Sequence, residues 1–398
     1  MGKPVIMSES RILNLNSGFK HKFLCTGPTF TAGTSCGYSC TYCFVEAQVG
    51  AKPFVTDVLR GQQFQDVVIR RHNPVGKLRS ELHYADGSPK YKNASGVIYG
   101  SPLVDVAVDK ILTQETIEIV QLILTTTGWD IRLLSKSPLI VDIAKSLTPA
   151  QKERVIFGLS TGTLDDKLAR AIEPTCPSPT KRMAALHWLQ DNGCRTFAML
   201  CPILPQPMDQ FIKKVMTGIR PHKCEHVWAE VINLRGDSMN ATVDGLVKAG
   251  LKQAAADLQA VCGHNSKLAW EQYAQDTFTA LAKVIPHNAT EPKLRFLQYV
   301  TPASDAWWTR QIPNGAVVLR PTAKKPKKAM ATPVQTATTV QMAPAVTTST
   351  ATTTPLLIPA IKPKNPKGVA AARKAWVTRR ANKASKATAP VAIQPATP

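Results

Sequence analysis

Cys36, Cys40 and Cys43 stand on one short stretch, "TSCGYSCTYCF", residues 34–44, spaced C-x3-C-x2-C with Tyr42 just before the last thiol. A closed structural zinc site takes four ligands, usually as two separated pairs. Cys40 and Cys43 form one C-x-x-C pair, and the sequence offers no second. The other cysteines (Cys25, Cys176, Cys194, Cys201, Cys224 and Cys262) are scattered singly. Three thiolates instead suit a [4Fe–4S] cluster with one iron left open, and an open iron can bind a small molecule. "HKCEH", residues 222–226, offers His222, Cys224 and His226 at i, i+2 and i+4, a poor chelating geometry at the start of a strand.

A loop of this kind needs a rigid frame, and the flanking sequence supplies one. Continuous apolar runs at 96–101, 130–136, 154–160, 195–203 and 225–233 read as strands covered on both faces. Helical patterns lie at 114–127, 138–147, 164–172, 179–192 and 207–217. A strand near 23–30, before the cysteine loop, completes six β/α units, and the rhythm argues for parallel strands in an open or closed barrel. Two further helices, about 243–262 and 267–284, and a strand at 293–300 extend this domain through residue 320. Two polar residues end apolar strands: Lys136 in "RLLSKSP" and Ser160 in "IFGLST". Strand ends at a barrel mouth are where function concentrates. "EVINLRGDSM" ends the last barrel strand with Glu230, Asn233 and Arg235, and a buried Glu230 would need a partner, Arg235 or Lys136.

The stretch "CGYSCTYCF" resembles the signature of radical S-adenosylmethionine (SAM) enzymes, C-x3-C-x-aromatic-C, in every position. That resemblance implies a partial (β/α)6 barrel, a [4Fe–4S] cluster on Cys36, Cys40 and Cys43, and SAM on the open iron. It also implies a 5′-deoxyadenosyl radical as the reactive species and an electron donor of flavodoxin or ferredoxin type. Residues 159–193, with Ser160, Leu164-Asp165-Asp166, Glu173-Pro174 and Pro177-Ser178-Pro179, resemble the spore photoproduct lyase-like branch, also called DNA repair photolyase-like. "CPILPQPMD", 201–209, resembles a turn of that branch, with Gln206-Pro207 in place of a glycine. By position the resemblance implies that Lys136 and Ser160 contact SAM; the usual glycine-rich motif for the SAM amino group is missing, which leaves that contact to Gly100, Ser101 and nearby backbone. Glu230, Asn233 and Arg235, at the end of the last barrel strand, are candidates to bind the adenosine or the substrate.

Spore photoproduct lyase carries a hydrogen-donating cysteine near the end of the second strand. Residues 96–105 contain none, and the polar groups there are Tyr99 and Ser101. Lyase chemistry on thymine dimers is therefore not expected, and Cys201 and Tyr99 stand as the hydrogen-donor candidates.

The chain of 398 residues has a net charge of +22. Thirteen Lys and Arg and no Asp or Glu lie from Pro321 onward, in a segment of Ala, Thr, Pro and Lys that cannot bury enough apolar surface to fold. This disordered basic tail, 321–398, predicts a polyanionic partner, nucleic acid, contacted mainly through Arg373, Lys374, Trp376, Arg379, Arg380 and Lys383. No secretion signal and no apolar run of membrane-spanning length are read, so a cytoplasmic protein with free thiols is expected. Two other functions remain open at this stage. One is radical modification of a protein or small metabolite, with the tail only localising the enzyme; the other is a nucleic-acid-binding module with a structural metal.

Overall fold

The computed structural model describes residues 4–7, 11–100, 102–234, 237–263 and 267–320. Ser101, Arg235 and all the tail positions named above lie outside these residues.

The frame is a nine-stranded, mostly parallel sheet. Its parallel strands are β1 (Thr29–Phe30), β2 (Val97–Gly100), β3 (Asp130–Ser135), β4 (Val155–Thr161), β5 (Arg195–Ile203), β6 (Val227–Val231), β7 (Leu294–Tyr299) and β8 (Ala316–Leu319). They lie side by side in chain order, and only the edge strand Leu13–Asn14, paired with β1, runs antiparallel. Right-handed crossovers joining strands in an order that never reverses all fall on one face of the sheet. The chain is thus α/β, an open sheet wound in the manner of a barrel, as the strand rhythm predicts.

Alternation along each strand sorts the core into two layers. Ile98, Leu133, Phe157, Leu200 and Phe296 pack with residues of the covering helices, including Ile119 and Ile123 of α1 (Lys110–Thr126) and Leu186 and Leu189 of α2 (Pro179–Asp191). Tyr99, Ile156, Phe197, Met199, Trp228, Leu297 and Val317 form the other layer, on the concave face, together with Leu24 and Cys25 of the N-terminal segment. Arg132 is buried among them, its guanidinium 4.7 Å from the centre of the Trp228 ring and 5.5 Å from that of Phe197. Phe197 lies across Gly158; a Cβ at that position would stand 2.2 Å from the ring, so only glycine lets the layer close. Burying a side chain of this size contributes about 1.5–3 kcal/mol.

Several elements differ from the sequence reading. The first strand is cut to two residues, because Gly18–Lys22 folds as a 3-10 turn and Phe23 adopts a left-handed backbone. The helix read over 243–262 is two, Asp237–Lys248 and Lys252–Cys262, broken at Gly250 with φ +74°. A second sheet of three strands, Pro4–Met7, Val68–Arg71 and Gly33–Cys36, has no counterpart in that reading. It matters because Cys36 is its last residue: the first thiol sits at a strand end, not on the loop.

Candidate active site

Beyond Cys36 the chain turns sharply, with Gly37 at φ +61° and Ser39 at φ +54°. Cys40 follows, and Cys43 caps the short helix Phe44–Val49. Four hydrogen bonds from three segments pin this turn. Ser35 donates to the Phe64 carbonyl at 2.8 Å and Ser39 to the Gln65 carbonyl at 2.9 Å. Thr175 donates to the Gly37 carbonyl at 3.1 Å, and the Thr41 and Thr242 hydroxyls meet at 2.8 Å. A turn fixed this way holds three thiols before any ligand arrives, which lowers the ordering cost of binding one.

The wall behind the loop is a buried charge network. Lys136, just past the end of β3, places its ammonium 2.7 Å from Glu173 Oε1 and 3.9 Å from Cys40 Sγ, and it donates to the Tyr42 hydroxyl. Tyr42 in turn donates to Glu173 Oε1. The other Glu173 oxygen accepts from Arg182 of α2, which also donates to the Ser160 carbonyl at 3.0 Å and the Pro177 carbonyl at 2.8 Å. Burial alone would push the Glu173 carboxyl up; the Lys136 and Arg182 charges and hydrogen bonds outweigh it and hold the group down at about 2. Lys136 likewise stays protonated: burial opposes its charge, but Cys40, Glu173 and Tyr42 outweigh it. Asp105 aims this lysine. Its carboxylate accepts from the Lys136 backbone N–H and the Ser135 hydroxyl, both at 2.6 Å, and from the Ala107 N–H at 2.9 Å.

The thiols are not equivalent. Burial pushes Cys36 up, reinforced by Cys40 and Cys43, and burial also pushes Cys43 up. Cys40 is drawn down, first by its contact with Cys176, whose sulfur is 3.6 Å away, and then by Lys136 against the cost of burial. Among the described residues no three His, Cys, Asp or Glu side chains converge on a single metal ion. A zinc ion needs its donors gathered around one point, whereas a four-iron cluster takes each thiolate on a different iron.

A second polar group lies on the concave face. Ser160 of β4, buried, donates to the Cys201 carbonyl of β5 at 3.3 Å. The Cys201 thiol is 4.0 Å from Glu230 Oε2 of β6, and that same oxygen lies 3.5 Å from the Lys22 ammonium. Lys22 also sits 5.3 Å from the centre of the Tyr299 ring. Burial, then the Glu230 charge, pushes the Cys201 thiol up to about 12, so it holds its hydrogen. Burial pushes Glu230 up as well, partly offset by Lys22. Tyr99 is buried beside Phe19, with ring centres 5.3 Å apart.

No family model matches the chain. It is 25% identical over 112 residues to an uncharacterized protein of Acidianus two-tailed virus, covering 27% of this chain and 37% of that one. It is 31% identical over 83 residues to an uncharacterized protein of Methanocaldococcus jannaschii, covering 20% of this chain and 30% of that one. The chain thus spans about a third of the length of these curated relatives. Among solved structures, a cysteine-to-serine mutant of spore photoproduct lyase aligns with a TM-score of 0.47 at 10% identity, over 73% of this chain and 81% of that one. A double mutant of the same lyase, with bound AdoMet and dinucleoside spore photoproduct, gives 0.44 at 13% identity, over 69% and 77%.

Of the residues singled out from sequence, Cys40 and Lys136 are brought together behind the loop; Ser160 joins that wall only through its backbone carbonyl, on Arg182, and its hydroxyl shares the concave face with Cys201, Glu230 and Tyr99. Asn233 is exposed beyond the end of β6. The partner of Glu230 is Lys22, not Lys136 as one sequence reading had it, because Glu173 and Tyr42 occupy the Lys136 ammonium. Glu173, Arg182, Asp105, Lys22 and Cys176 carried no functional weight in sequence. Arg182 did leave a signal: it lies on the stripe formed by Pro179, Met183, Leu186 and Leu189, where a charge needs a buried partner.

Proposed function

We propose that this protein is a radical SAM enzyme that acts on nucleic acid. The single observation that carries the reading is the thiol loop. Its C-x3-C-x-aromatic-C spacing stands beside Lys136, just past the carboxyl end of a parallel strand, where α/β folds place their ligands. The donor set suits a cluster: three thiols within eight residues, at the strand end, the pinned turn and the helix start, with a lysine ammonium to offset their negative charge.

Cys36, Cys40 and Cys43 would hold the cluster. Once bound, it would supply the electron that cleaves the SAM sulfonium and releases a 5′-deoxyadenosyl radical. The chain's own residues do the rest. Lys136 and Ser160 orient SAM, with Ser101, Glu230 and Asn233 completing its surroundings. The apolar concave layer keeps water from the radical. Cys201, held as a thiol beside Glu230, donates a hydrogen atom to the substrate radical, and the buried Tyr99 hydroxyl is the alternative donor. The tail from Pro321 retains the nucleic acid through Arg373, Lys374, Arg379, Arg380 and Lys383, with Trp376 stacking on exposed bases.

The test is anaerobic reconstitution followed by reduction in the presence of SAM. Four irons and release of 5′-deoxyadenosine and methionine are expected. Full cluster assembly with no SAM cleavage under strong reductant would overturn the reading. Incubation with a deuterium-labelled nucleic-acid pool should place deuterium in 5′-deoxyadenosine; label arriving only from protein or metabolite pools would move the substrate. Removing residues 321–398 should lower nucleic-acid affinity and flatten a salt slope of about −5 to −7, expected for some six to eight phosphate contacts on duplex DNA. SAM cleavage should survive that truncation.

A further inference from the structure

Cys176 has no part in this chemistry, yet it is the nearest thiol to Cys40 from anywhere outside the loop. Their sulfurs are 3.6 Å apart, although the residues are 136 positions apart in sequence. Both are buried, at 8% and 3% exposure. The position of Cys176 is built: its N–H donates to the backbone carbonyl of Glu173 at 3.2 Å, so the residue whose carboxylate holds Lys136 also sets, through its main chain, where this thiol stands. The two anchors of the loop on that side, Thr175 to Gly37 and the Glu173 network, bracket the pair. A disulfide needs the sulfurs to close from 3.6 Å to about 2.05 Å.

We propose that Cys40 and Cys176 form a reversible disulfide when the loop carries no ligand, so that Cys176 guards the ligand cysteine against irreversible oxidation. Hydrogen peroxide takes the Cys40 thiol to a sulfenic acid and releases one water. The Cys176 sulfur attacks the sulfenic sulfur, the S–S bond forms, and the hydroxyl leaves with the Cys176 proton as a second water. Two electrons pass from the thiols to the peroxide bond, and a thiol reductant reverses the result. Without Cys176 a second hydrogen peroxide would oxidise the sulfenic acid to sulfinic acid, releasing another water, and thiols do not rescue that product. A ligated Cys40 is not free to react, so the bond marks the empty loop. This proposal stands on the sulfur pair alone and does not need the occupant to be an iron–sulfur cluster.

The experiment exposes the full chain, stripped by a chelator under anaerobic conditions, to a moderate excess of hydrogen peroxide and maps its cysteines by peptide mass spectrometry. The expected product joins the Cys40 peptide to the Cys176 peptide, two hydrogens lighter than the separate peptides and released by a thiol reductant. In Cys176→Ser the link is lost and two oxygens accumulate on Cys40, with loss of iron uptake that reductant does not restore. Cys262→Ser should change nothing. A link from Cys40 to Cys36 or Cys43 instead, or equal over-oxidation of Cys40 in wild type and Cys176→Ser, would overturn the proposal. If Cys176→Ser fails to fold, Cys176→Ala serves in its place, and the mapped link in the wild-type chain decides by itself.

Discussion

The two polar groups of the site are built to different standards. Behind the cysteine loop, Glu173 is 3% exposed, spends both oxygens on two cations and a phenol, and meets Lys136 at 2.7 Å. On the concave face, Glu230 is 23% exposed and meets Lys22 at 3.5 Å and Cys201 at 4.0 Å. The first arrangement has its geometry fixed and its groups satisfied. The second is a loose pair that a ligand can part at small cost. Under the proposed function the first is the wall behind the cofactor loop, and the second is the face where SAM or the substrate comes and goes.

The largest effect expected is on the pinned side. Replacing any one of Cys36, Cys40 or Cys43 with Ala should abolish the visible absorbance of a reconstituted cluster near roughly 400 nm, as expected for thiolate-ligated iron. Replacing Cys201 should leave that absorbance intact. If Cys201→Ala removed it as well, the division between a cofactor wall and a substrate face would fail.

Next in size is the buried carboxylate. Glu173→Ala leaves Lys136 and Arg182 without their counter-charge, and breaking a buried pair in this way costs about 3–5 kcal/mol. Urea denaturation measures it. A loss below about 1 kcal/mol, the level of exposed pairs, would put the network on the same footing as the Lys22 pair.

The two carboxylates should also titrate in opposite senses. Glu173 is held at about 2, below its ordinary 4.5, so its contribution to stability is present above that ordinary value and is lost as pH falls toward about 2. Glu230 is raised above 4.5, so the fold favours its protonated form; that contribution is present below 4.5 and is lost as pH rises through the raised value. Denaturation of wild type, Glu173→Gln and Glu230→Gln across the acid range therefore has a signed outcome. The advantage of wild type over Glu173→Gln shrinks toward low pH, while Glu230→Gln gains on wild type as pH rises. Two gaps moving in the same direction would erase the distinction.

The smallest effect is the loose pair itself. Lys22→Met and Glu230→Gln should each change stability by no more than about 1 kcal/mol, the range for partly exposed pairs. The double variant should show little coupling beyond that. A coupling above about 2 kcal/mol would mean that the Lys22–Glu230 pair is a structural bond and not an adaptable one.

The parallel strands from β2 to β7 were legible because each is a continuous apolar run and the helices between them repeat their apolar residues at helical spacing; the two-residue β1 and the last strand, β8, are too short to show a pattern. The thiol loop was legible because its ligands sit within eight residues of one another. What escaped was whatever depends on residues far apart in the chain. Lys22 reaches Glu230 across 208 positions, and Cys176 reaches Cys40 across 136. The small sheet escaped because its strands are only four residues each, too short to set a period. Arg182 was the exception, a charge on an apolar stripe whose partner could be expected though not named.

Arg132, Phe197 and Trp228 have one more consequence. Trp228 donates to the Lys22 carbonyl at 2.9 Å, and Arg132 donates to the Leu24 carbonyl at 2.7 Å. The buried layer therefore grips, by its backbone, the same segment that carries the Lys22 ammonium to Glu230. The pair is adaptable only at its side chains, while the chain that bears the lysine is fastened to the sheet.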